Sequence, residues 1–119
     1  MPLDAESLVR ALAAERDVEG MLVIGLDAEH RLCGVGVNPR HRALSFVKVW
    51  ELESLLHELG ACSLVVGLFP PGPPRAPTAH EVEAFIGLSA RAHRAQVTLD
   101  DCIIARGNQT WSMRELSAC

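Results

Sequence analysis

The chain has 119 residues, 49% of them apolar and 4% aromatic, with a formal net charge of −4. That length suits one domain spanning residues 1–119, able to bury roughly two-thirds of the surface its unfolded chain exposes. The acidic balance and the single lysine, Lys48, argue against a general nucleic-acid binder, which presents a basic face.

In chain order, Asp4 is placed to cap a first helix over residues 1–17. Leu8, Val9 and Leu12 share one face of it, and it fades near Arg16. Gly20 to Leu26 is apolar on both faces and predicts a central, fully buried strand. Asp27-Ala28-Glu29-His30 reads as a polar turn. Residues 31 to 37 alternate, with Cys33, Val35 and Val37 on one side and Gly34 and Gly36 on the other. They form the hairpin partner of the first strand. After a loop from Asn38 to Arg42, Ser45 is expected to cap a second helix. Val49, Leu52, Leu55, Leu56 and Leu59 line its inner side, and Gly60 stops it.

Ser63 to Leu68 predicts another buried strand. The loop at residues 70–77 then holds five of the seven prolines. Thr78 opens a third helix with Val82, Phe85, Ile86 and Ser89 inward. Val97 to Ala105 predicts a strand, Arg106 to Gln109 a turn, and Thr110 to Met113 a short closing strand. The order α-β-β-α-β-α-β-β predicts an α/β (α+β) mixed sheet with helices packed on its faces.

The longest apolar run, Met21 to Leu26, is far too short to span a bilayer. The start, Met-Pro-Leu-Asp-Ala-Glu, lacks the basic and apolar regions of a signal peptide. The four cysteines, Cys33, Cys62, Cys102 and Cys119, are widely spaced with no C-x-x-C pair. A reduced, cytoplasmic protein is the expectation, with no membrane partner.

A loop leaving the C-terminal end of a buried strand toward a helix is a common place for a site. Here such a loop leads to His80 and Glu81. Five stretches in order then carry a resemblance. Glu19 stands just ahead of the first strand. Val66-Gly67-Leu68-Phe69-Pro70-Pro71-Gly72 ends the second buried strand. Thr78-Ala79-His80-Glu81 opens the next helix. Leu99-Asp100-Asp101-Cys102-Ile103-Ile104 is the late strand, and Trp111-Ser112-Met113-Arg114-Glu115 the close. Over residues 18–115 the series resembles the JAB/MPN (JAMM) domain, in its bacterial RadC-like branch.

In that branch the matching stretches are a glutamate, Val-His-Asn-His-Pro-Ser-Gly, Ser-x-x-Asp, Leu-Asp-His-Ile-Ile and Ser-Phe-x-Glu. The resemblance implies a cytidine-deaminase-like sheet flanked by helices. In the family, two histidines and an aspartate hold zinc, and the glutamate works through the zinc-bound water. This chain departs from that pattern at the ligands. Gly67 and Phe69 occupy the two histidine positions, and neither has a donor atom. A catalytic zinc needs about three protein ligands plus a water, and without zinc the water keeps too high a pKa to supply hydroxide near neutrality. The expectation is therefore no cofactor, although zinc belongs to the family.

Each residue also has a plainer reading. Thr78-x-x-Glu81 is a capping box that needs no metal. Glu19 is a solvated carboxylate at a strand end. His80 sits in a first helical turn at the surface, and His57 and His93 sit near helix C-termini. Asp101 lies in an otherwise apolar strand, so it faces an edge or hydrogen-bonds a turn. The spacing of Cys33, Cys62 and Cys102 is no known zinc pattern.

The favoured expectation is a metal-free, non-catalytic RadC-like domain acting as a protein-binding or assembly module, with a protein partner or a second copy. Glu19, Thr78 and Glu81 would be its vestigial catalytic set. Phe69, Pro70, Pro71, His80 and Asp101 would form its cleft rim. The proline run would suit docking on an aromatic groove, and Phe69 would plug or cover the family's cleft. The alternative is a peptidase-like or isopeptidase-like hydrolase with a displaced site, using Glu19 and Glu81 with Asp101 and His80. A third reading, DNA-related work, draws only on the branch's name, and the acidic balance does not support it.

Overall fold

The computed structural model describes residues 7–11, 20–38, 43–70, 73–106 and 109–117. Asp4, Leu12, Arg16, Glu19, Pro71 and Cys119 lie outside the described residues.

Five strands form one mixed sheet in the order β2-β1-β3-β4-β5. β1 (Met21–Leu26) and β3 (Ser63–Leu68) are buried along their whole length, as their continuous apolar runs predict. They pair antiparallel, and β2 (Leu32–Asn38) closes the hairpin on the outer side of β1. β4 (Leu99–Arg106) runs parallel to β3, and β5 (Gln109–Ser112) returns antiparallel to β4. The parallel pair needs a crossover, which the proline-rich loop and the third helix supply.

Helices cover both faces. The helical segment α1 (residues 7–11) sets Val9 against Leu22, Ile24, Val65 and Ile103 on one face. On the other face, α2 (Val49–Glu58) and α3 (Ala79–Arg94) cover Met21, Val23, Leu64, Val66, Cys102 and Ile104. The radius of gyration of 13.0 Å matches the about 13 Å of a compact chain this long.

Tight packing decides several details. Gly25 and Gly34 sit opposite each other across the hairpin. A Cβ on Gly34 would meet Leu59 Cδ2 at 2.9 Å, so this glycine pair is the slot that lets the end of α2 approach the sheet. Gly60 stops the helix as predicted: it adopts φ +64, and the Ala61 N–H donates to Leu56 O at 2.9 Å in a Schellman closure. α3 closes the same way, but with Gln96 at φ 63 where glycine is usual; Val97 N–H donates to Ala92 O at 2.9 Å.

Four predicted details differ. Ser45 does not cap α2. It lies in a short 3-10 turn, η1 (Leu44–Phe46), and the helix begins after Lys48, whose N–H donates to Glu51 Oε2 at 2.9 Å. Burying Leu44 and Val47 requires this extra bend before the helix. In α3 the inner residues are Phe85, Leu88 and Ala92, while Ile86 is 48% exposed. Cys33 is exposed like Val35 and Val37, but it breaks the regular pairing that the alternation predicted. It is the extra residue of a bulge opposite Gly25/Leu26, and its thiol reaches Gly60 O at 3.9 Å. A last helix, α4 (Met113–Ser117), follows β5 where only a closing strand was expected.

Candidate functional site

The parallel strands β3 and β4 end side by side, with Leu68 opposite Ile104. Beyond this edge lies a cavity of ≈ 130 Å³ lined by Leu44, Leu68, Pro70, His80, Glu81, Ala84, Ile104 and Met113. Its wall is mostly apolar, with Ser45, His80 and Glu81 as its polar side chains. η1 contributes Leu44 and Ser45 to the lining, and Pro70 and the first turn of α3 contribute the polar end.

Glu81 owes its place to local sequence. The Thr78 hydroxyl accepts from Glu81 N–H at 3.2 Å, and Glu81 Oε1 accepts from Thr78 N–H at 3.0 Å. That is the predicted capping box in full. The other carboxylate oxygen, Oε2, accepts from Arg106 Nη2 at 2.7 Å. Arg106 terminates β4 and is only 3% exposed, and its Nη1 donates to Arg75 O at 3.0 Å. One guanidinium thus neutralises the carboxylate and pins the proline-rich segment to the sheet edge. Arg75 Nη1 lies 3.6 Å from Oε1.

Partial burial pushes the Glu81 carboxyl up. The Thr78 N–H and the Arg106 guanidinium outweigh that effect, so its pKa falls below the ordinary glutamate value. Glu81 is therefore an anion with both oxygens engaged, which is a poor state for a general base or an open metal ligand.

The expected set divides in space. Thr78 and Glu81 are joined, and Pro70 and His80 line the same cavity. Phe69 does not plug or cover that cavity. It packs on the opposite face with the α1 cluster, because side chains alternate along the strand and Leu68 and Pro70 take the cavity side. Gly67 also faces α1, with Val9 methyls 3.2 and 3.3 Å from where its Cβ would be. Gly67 and Phe69 thus lie on the sheet face away from Glu81. Gly67 and Phe69 offer no side-chain donor atom, and neither shares a sheet face with Glu81. Glu19 and Pro71 lie outside the described residues.

Asp101 sits elsewhere and has a structural task. Its Oδ1 accepts from Cys102 N–H at 2.7 Å and Arg114 N–H at 2.9 Å, and its Oδ2 accepts from the Ser112 hydroxyl. Ser112 Oγ accepts in turn from Glu115 N–H at 3.2 Å. The pair caps α4, and a bulge that leaves Asp100 unpaired opposite Leu64/Val65 aims Asp101 there. Asp101 is the turn-bonded aspartate its apolar strand required.

Two residues were missed from sequence. Arg106 was read only as the start of a turn, although a lone cation ending an apolar strand is a signal of a buried pair. Ser112-x-x-Glu115 is a capping pattern that announces α4.

The other groups are dispersed. Burial, then the charges of Asp101 and Glu81, push the Cys102 thiol well above its usual pKa, so it stays protonated. Cys33 and Cys62 are exposed. Among the described residues no three His, Cys, Asp or Glu side chains converge, and no helix is long and apolar enough to cross a membrane. A wider cavity of ≈ 520 Å³ opens between α3 and α4, lined by Phe85, Ile86, His93, Asp100 and Arg114, and it holds none of the expected site residues. Comparison of the chain with protein-family models finds no match, and comparison with curated proteins finds none either.

Proposed function

We propose that the chain is a metal-free, non-catalytic protein-binding or assembly module, of the JAB/MPN RadC-like kind that its motif order resembles. Its working surface is the C-terminal edge of β3 and β4 together with the proline-rich segment. The observation that carries this reading is the state of Glu81. Its carboxylate is held by Thr78 and by the buried Arg106, and the cavity beside it is lined mostly by apolar side chains. Such a pocket suits one apolar side chain of a partner, not a water to be activated. Phe46, one residue beyond the lining residue Ser45, and Trp50 are exposed and add apolar surface of the kind that interfaces use.

The test is hydrolysis. Purified protein is incubated with peptide and isopeptide-linked substrates, with zinc and with a chelator. No cleavage is the expected result. Cleavage that the chelator abolishes would overturn the reading.

A further inference from the structure

We propose that the cleft between α3 and α4 binds a free α-amino acid with an apolar side chain. This site is separate from the Glu81 cavity and does not depend on the binding-module reading.

The cleft lies at the opposite end of β4 from Arg106. Its volume, ≈ 520 Å³, falls within the roughly 300–1,000 Å³ of small-molecule sites. Its floor is apolar: Phe85, Val97 and Leu99 line it, and none is more than 5% exposed. Ile86, in the middle of α3, is 48% exposed. The core leaves it out, and it lines the cleft instead.

Two opposite charges share this lining. Arg114 stands at the start of α4, where its N–H donates to Asp101 Oδ1 at 2.9 Å. Its guanidinium has no hydrogen-bond or ion-pair partner among the described residues. Asp100 is the bulge residue that β3 leaves unpaired. Its side chain is 21% exposed, with Oδ2 3.5 Å from His30 Nε2. Asp100 and Arg114 thus line one cavity, one residue removed from a shared hydrogen bond, and form no ion pair with each other.

A cation and a carboxylate that share a cleft without meeting leave room for a group that meets both. A ligand carboxylate accepts two parallel N–H bonds from a guanidinium. A ligand ammonium donates to a carboxylate. An α-amino acid carries both groups on one carbon, and its side chain then lies on Phe85, Val97 and Leu99 against Ile86. Removing that apolar surface from water favours binding. A plain carboxylic acid would leave Asp100 facing an apolar body, and a plain amine would do the same to Arg114. A ligand this small in an open cleft has a dissociation constant on the order of 0.1–1 mM.

Chemical-shift titration of the full isotope-labelled chain tests this, with L-leucine and L-phenylalanine up to about 10 mM. The expected result is saturable shifts at the amides of Thr98, Asp100 and Arg114. Isocaproate, which is leucine without its amine, and isoamylamine, which is leucine without its carboxylate, bind at least tenfold more weakly. So does glycine, which has no side chain to bury. Arg114→Gln and Asp100→Asn each weaken leucine binding at least tenfold, and the amide spectrum itself shows that each variant is folded. The analogue series needs no variant at all. No saturable shift with either amino acid, shifts confined to residues away from the cleft, an analogue that binds as tightly as leucine, or variants that bind like the wild type would each overturn the proposal. None of these results bears on hydrolysis, so the non-catalytic reading stands or falls separately.

Discussion

Arg106 and Glu81, 25 residues apart in the chain, form one ion pair in which the buried guanidinium donates to the carboxylate across 2.7 Å. The pair joins the end of β4 to the first turn of α3. Its energetics follow from burial. Glu81→Ala strips the counter-ion from a cation that water hardly reaches, and removes half of the capping box. The expected cost is about 3 kcal/mol. Thr78→Ala, which removes only the cap, is expected to cost about 1 kcal/mol. Urea unfolding ranks the two. Glu81→Ala with Arg106→Met should be less destabilised than the two single changes added together, because neither charge is left alone.

Acid sensitivity has a fixed sign. The folded Glu81 carboxyl titrates below the ordinary glutamate value of 4.5. Its stabilising contribution is complete above that value and is lost as pH falls through the lower folded value. Asp27 acts the same way below its ordinary 3.8, held down chiefly by the Arg31 N–H against its desolvation. Urea midpoints should hold down to about pH 4.5 and then drop. The gap between wild type and Glu81→Gln should narrow over that acid range.

Asp101 anchors α4 from a neighbouring strand. Asp101→Ala leaves the Ser112 hydroxyl and the Arg114 N–H without their acceptor beside a buried strand. The expected loss is about 2–3 kcal/mol. Ser112→Ala should cost about 1 kcal/mol. Amide exchange at Arg114 should quicken in both variants, more in Asp101→Ala.

Gln96 holds a left-handed conformation at φ 63 to close α3. Glycine takes that conformation without the Cβ clash, which costs other residues roughly 1–2 kcal/mol. Gln96→Gly should raise the urea midpoint, by about 1 kcal/mol of stability after glycine's extra unfolded entropy, with an unchanged slope.

Much of the fold was legible because its signals are local. The apolar runs of β1 and β3, the Thr78-x-x-Glu81 cap and Gly60 each act within a few residues. The misplaced details depend on distant partners. Whether Ser45 or Lys48 begins α2 turns on where Leu44 and Val47 find the core. Ile86 and Leu88 fit helical spacing equally well, and packing on β4 chooses Leu88. The site was harder. Pro70, His80 and Glu81 line one cavity, but Phe69 follows the strand's alternation to the other face. Arg106, which decides the chemistry of Glu81, is tied to it only through space.

The central claim is that a guanidinium, not a metal, neutralises the carboxylate at this sheet edge. Metal content measured by mass spectrometry tests it most directly, on tag-free protein purified with zinc and then dialysed. The account predicts far less than one zinc per chain, with the same value in Glu81→Gln. One zinc per chain that disappears in Glu81→Gln would contradict it.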